Sequence, residues 1–166
     1  MAFSTKNFPF HFDETPGKNK KGKANILLCP ECNAAYWFKS WHHSLDEYPN
    51  LKEDSNIKMA ICPACKIQKE GKYQGELILE NIPSDRNEEI KNLIAKFGSV
   101  AFQNDPMDRI INVDQIARGM IRVLTTENQM VTQLAKKIKR TYKGKINIIH
   151  SKKDVIIRMR VVFPGL

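Results

Sequence analysis

The sequence predicts an α+β protein in two parts, a four-cysteine zinc ribbon or knuckle module followed by a small sandwich of helices on one face of an antiparallel sheet. Three observations predict it. Two Cys-x-x-Cys pairs, Cys29/Cys32 and Cys62/Cys65, stand in the first half of the chain. Beyond about residue 74 the apolar pattern switches between strand and helix periods in the order β-α-β-β-α-β-β. The chain, 166 residues long, has room for a small metal-stapled module beside a domain with its own core.

Residues 1–25 read as a flexible basic arm. Phe3, Phe8, Phe10 and Phe12 are scattered among Pro9, Pro16 and Gly17 with no period, and Lys18, Lys20, Lys21 and Lys23 follow. Residues 26–73 read as the metal module. Cys29-Pro-Glu-Cys32 and Cys62-Pro-Ala-Cys65 each carry two thiols on a tight turn, and each follows a short apolar run, Ile26–Leu28 or Met59–Ile61. Four thiolates so spaced suit one tetrahedral zinc ion, and the two turns read as near-repeats. A thioredoxin-type redox reading fits less well, because that motif occurs once and at a helix N-terminus.

The 29 residues between Cys32 and Cys62 hold an insertion rich in rings: Tyr36, Trp37, Phe38, Trp41, His42, His43 and Tyr48. These rings either stack on unpaired bases or serve as a miniature core, the latter suiting Trp37 and Trp41. His42 and His43 offer a further ligand or base, which four thiolates make unnecessary.

Residues 74–166 alternate strand and helix. Glu76–Glu80 reads as a strand, and Pro83-Ser84-Asp85 as a turn and N-cap for a helix from Arg86 to about Gly98, with Ile90, Leu93, Ile94 and Phe97 on one face. Asp108–Ala117 and Met120–Thr125 read as two strands joined at Arg118-Gly119. Thr126 then caps a helix from Glu127 to Tyr142 that Gly144 ends. Lys145–His150 and Val155–Phe163 close the chain as a hairpin around residues 151–154. The order suggests a ferredoxin-like β-α-β-β-α-β sandwich with an extra edge strand.

The net charge is +9, and ten basic residues against the single acid Asp154 lie between Leu134 and Arg160. Lys136, Lys139, Arg140 and Lys143 fall on the face of the second helix opposite its apolar stripe. Lys145, Lys152, Lys153, Arg158 and Arg160 extend the ridge if they share its surface. Such a patch suits a polyanion, with a solvated face as the alternative. The chain lacks a phosphate-binding glycine loop, a nucleophile elbow and a His-x-Glu partner for catalytic zinc, and a closed four-thiolate ion has no open position. A non-enzymatic protein is expected. The N-terminus shows no apolar stretch with a small-residue cleavage site and no segment reaches membrane-spanning length, so a cytoplasmic, soluble protein is the expectation.

The run from Cys29 to Tyr36 with Trp41, the second pair Cys62-Pro-Ala-Cys65-Lys66, the strand led by Gly75 and the turn Arg140-Thr-Tyr-Lys-Gly-Lys145 resemble a little-characterised group of bacterial proteins with an N-terminal four-cysteine zinc module and a small α/β domain. That zinc module in turn is similar to the N-terminal zinc region of the archaeal and eukaryotic adaptor that binds the large ribosomal subunit. The resemblance implies association with the ribosome through rRNA, as a stress or hibernation factor. A DNA-binding transcription regulator and an adaptor holding a protein client are the alternatives; no small-molecule substrate is inferred.

Overall fold

The computed structural model describes residues 25–46, 48–54, 56–149 and 155–164. The basic arm with Lys18, Lys20, Lys21 and Lys23, and the 151–154 turn with Lys152 and Lys153, lie outside the described residues. The described residues form two sheets and four α-helices. No described helix is long and apolar enough to cross a membrane.

The first sheet is built from β1 (Asn25–Leu28), β2 (Ala35–Trp37), β3 (Ser40–His42) and β4 (Asn56–Met59), in the order β3-β2-β1-β4. β1 and β2 pair antiparallel across the first cysteine turn, and β4 returns parallel to β1 after the short helix α1 (Pro49–Asp54). Ile26, Ala35, Trp37 and Leu45 are buried beneath this sheet. Trp37 therefore does core work, stacked on His42 at 3.7 Å with Tyr48 edge-on at 4.9 Å. The next helix, α2 (Pro63–Lys69), begins directly at the second cysteine pair.

The second sheet joins β5 (Gly75–Glu80), β6 (Ile110–Ala117), β7 (Met120–Thr125), β8 (Lys145–Ile149) and β9 (Ile157–Val162) in the order β6-β7-β5-β9-β8. Helices α3 (Asn87–Asn104) and α4 (Asn128–Tyr142) cover one face. Alternate residues Leu77, Leu79, Ile121, Val123, Met159 and Val161 meet Ile90, Ile94, Val131, Leu134 and Ile138 in one core. Each such aliphatic group, fully buried, contributes about 1.5–3 kcal/mol.

The sheet order departs from the expected sandwich. The last strand does not take the edge: β9 lies parallel to β5 and antiparallel to β8, which becomes the edge strand. Burial explains the exchange, since β9 carries Met159 and Val161 into the core while β8 is exposed at every position except half-buried Ile146. A strand with that much apolar surface is stabilised by an interior place.

Three boundaries also shift. α3 runs through Gly98 to Asn104, because the glycine serves close packing rather than termination; a Cβ there would stand 2.7 Å from Ile110 Cδ1. α4 ends on Lys143 in the left-handed conformation, φ 57°, while Gly144 is pressed against Val161. Thr126 leaves its expected capping role: its hydroxyl donates to the Met107 carbonyl at 2.6 Å and accepts from the Arg109 amide at 2.8 Å. That bracket holds the segment between α3 and β6 against the metal module.

Candidate metal centre

Each cysteine pair is positioned by a different local structure. In the first, the amide of Cys29 donates to the Ala34 carbonyl and that of Asn33 to the Cys29 carbonyl, with Asn33 in the left-handed region, φ 60°. This is a tight turn between β1 and β2, as the sequence suggests. The second pair is not its repeat. Cys62 is the N-cap of α2, Pro63 opens the helix, and the Cys62 sulfur accepts from the Cys65 amide at 3.4 Å. Proline suits the first helical position because its missing N–H would have had no partner there.

The four sulfurs lie within 4.8 Å of one another, and Cys32 and Cys62 Sγ are 3.7 Å apart. A tetrahedral zinc with bonds of about 2.3 Å requires sulfurs about 3.8 Å apart, so the donor set and its spacing suit that ion. None of the four is in a disulfide. Among the described residues no histidine or carboxylate joins the cluster. His42 stacks on Trp37, and His43 Nε2 lies 3.2 Å from the Gln103 carbonyl with its ring edge-on to Phe102. His42 thus packs within the module and His43 against α3, and neither ring is part of the sulfur cluster.

Four thiolates around a divalent ion leave two net negative charges, which the surroundings must offset. The Cys62 amide donates to Cys29 Sγ at 3.3 Å. A further contribution comes from a residue far along the chain from the cysteines. Arg109, at the entrance to β6, donates through Nη2 to Cys32 Sγ at 3.2 Å and through Nη1 to Cys65 Sγ at 3.4 Å. Its Nε donates to the Pro106 carbonyl at 2.8 Å, and its guanidinium lies 5.5 Å from the centre of the Phe102 ring. Met107 and Trp41 pack on the same cysteine cluster. The planar fork of arginine can span two sulfurs at once, where lysine would offer a point charge.

These contacts show in the acidities of the metal-free thiols. Burial opposes ionisation of Cys32, but Arg109, the Ala34 amide and the neighbouring thiols bring it down to about 7. Burial pushes Cys62 and Cys65 up, toward the thiol form. Metal binding would therefore release protons.

Sequence reasoning located all four cysteines of the cluster and missed Arg109, which has no fixed spacing to them and stands outside the basic run. The basic residues themselves separate. Lys136, Lys139, Arg140 and Lys143 are exposed on α4 and at its end, and no described carboxylate pairs with them. Arg158 and Arg160 do not extend that ridge. They alternate with core-facing Met159 and Val161, so they point from the opposite face of the sheet, and they pair with Glu76 at 3.3 Å and Glu80 at 3.1 Å. Lys145 lies opposite Val162 on that same open face and is exposed.

Comparison with protein-family models and with curated proteins returns no match. The cysteine cluster supports metal binding on its own geometry.

Proposed function

We propose that this is a non-enzymatic, zinc-stapled protein that binds structured RNA, and that the RNA is ribosomal. The observation that carries the reading is the α4 ridge: Lys136, Lys139, Arg140 and Lys143 stand exposed without a described carboxylate partner, while Arg122, Arg158 and Arg160 on the open sheet face are ion-paired to Asp114, Glu76 and Glu80. Unpaired cations on one helix face suit a row of phosphates, whose neutralisation releases counterions. The ribosome enters through the resemblance of the zinc module and the Tyr-Lys-Gly turn. Zinc would supply folding free energy, since a four-thiolate ion has no open position to activate water.

Binding to an rRNA fragment over a salt series tests this. With four phosphates neutralised, log K should fall with log salt at a slope of about −3 to −4. Reversing Lys136, Lys139 and Arg140 to Glu should weaken binding and flatten the slope, whereas Arg158→Ala should leave it unchanged. Co-sedimentation with ribosomal particles, lost at high salt, is the expected cellular counterpart. Salt-insensitive association, or a complex that survives nuclease, would replace this reading with the protein-adaptor one. Sequence-selective binding to duplex DNA would favour the transcription regulator.

A further inference from the structure

The two-residue turn between β2 and β3 carries Phe38 and Lys39. Phe38 is 92% exposed, far beyond any other large apolar side chain described. Both residues have positive φ, 49° and 63°. Hairpin turns of this kind favour Asn-Gly, because residues with a Cβ are strained there. Here the sequence places a phenyl ring and an ammonium at those strained positions instead.

The base beneath the tip is rigid. Trp37 and Ser40 pair directly below the turn, Trp37 is buried, and His42 stacks on it. The ring is thus held outward on an ordered hairpin. Of the module's other exposed large apolar side chains, Ile57 and Met59 lie on β4, at the other edge of the β3-β2-β1-β4 sheet, Ile61 follows β4, and Tyr48 packs edge-on to Trp37 below the tip, so Phe38 alone protrudes from the turn. Lys39 has no described carboxylate partner. A protein interface is centred on a contiguous apolar core, whereas a single ring beside a cation matches a nucleotide, with one π-face and one phosphate.

We infer that the Phe38-Lys39 tip is a stacking site for an unpaired RNA base, Phe38 lying on the base and Lys39 reaching the adjacent phosphate. The inference rests on the RNA-binding reading above and adds a second contact that distinguishes looped RNA from duplex. It also accounts for the turn: backbone strain is retained where the ring must protrude.

Phe38→Asn provides the test, since asparagine suits a positive φ and removes the ring without weakening the hairpin; Phe38→Ala is the second variant. Binding is measured to an RNA hairpin whose unpaired loop carries a fluorescent adenine analogue, and to a blunt duplex of the same stem. The expected result is a loss of roughly five- to a hundredfold on the looped RNA, with the analogue's fluorescence change abolished and duplex affinity unchanged. The Phe38→Asn protein should melt at or above the wild-type temperature. Wild-type affinity of both variants for the looped RNA would overturn the stacking site while leaving the ridge reading intact. So would equal losses on loop and duplex. If the variants bind RNA normally but lose a nuclease-resistant protein partner, the tip seats in a protein pocket and the inference fails. Failure of the wild-type protein to bind either RNA would overturn the RNA-binding reading and this inference together.

Discussion

Replacing Arg109 with alanine removes two hydrogen bonds to thiolates and one positive charge beside a doubly negative centre. Loss of such an outer partner typically costs 10–100-fold in metal affinity, or about 1.4–2.8 kcal/mol. The amide of Cys62 remains on Cys29 and that of Cys65 on Cys62, and Arg109 is only half-buried, so the lower end applies: about tenfold. The assay is competition for zinc against a chromophoric chelator at fixed pH, with release followed after dilution into excess chelator. Arg109→Lys should fall between the wild type and Arg109→Ala, because it keeps the charge and loses the fork. A separate readout removes the metal altogether. The alkylation midpoint of Cys32 in the metal-free protein should move up from about 7 toward the ordinary thiol range when Arg109 is absent. Unchanged zinc affinity in Arg109→Ala, together with an unchanged Cys32 midpoint, would refute the claim that Arg109 completes the metal centre.

Burial, with Asp108 and Asp105 nearby, raises Glu127 to about 7, and burial with Asp105 raises Asp108 to about 6. The folded protein therefore holds protons that the unfolded chain releases near pH 4; the stability these groups contribute is full below that value and is lost as pH rises through about 6–7. Glu127→Gln should flatten the pH dependence of urea unfolding in excess zinc and add about 1 kcal/mol at about pH 8, discounted for partial solvation; parallel curves would disprove it. At Gly75 a Cβ would stand 2.3 Å from Val131 Cγ2 and 2.4 Å from Thr125 Oγ1. Gly75→Ala should cost about 1–3 kcal/mol of stability through overpacking, and an unchanged unfolding midpoint would count against that packing.

The cysteine cluster was legible because thiols in Cys-x-x-Cys spacing have few other uses in such a chain, and spacing is a property of sequence alone. Helices α3 and α4 and strands β5 to β9 were legible from period, whereas the short helices α1 and α2 and the strands β2 and β3 were not read. What escaped was relational. Whether Cys62 sits on a turn or caps a helix depends on where β4 ends, and Met59–Ile61 reads equally as strand or approach. Gly98 resembles a helix terminator until Ile110 is seen against it. Arg158 and Arg160 look like free cations until Glu76 and Glu80 are placed on the adjoining strand. Phe38 and Trp37 are neighbours in sequence with opposite fates, because alternation along β2 buries one and the turn exposes the other.

The interior position of β9 has a kinetic consequence. β5 is the first strand of the five-stranded sheet in sequence, yet one of its two neighbours is the final described strand, with Gly75 opposite Ile157 and Glu80 opposite Val162. β5, α3, β6 and β7 can assemble earlier from nearer contacts, but until β9 arrives β5 has an unpaired edge and the core under α4 lacks Met159 and Val161. Loop closure over so long a separation is slow relative to hairpin formation. Pairing of β9 with β5 is therefore expected to be a late step of folding, the β8-β9 hairpin arriving as a unit that covers the open edge of β5 and leaves the exposed β8 at the new edge.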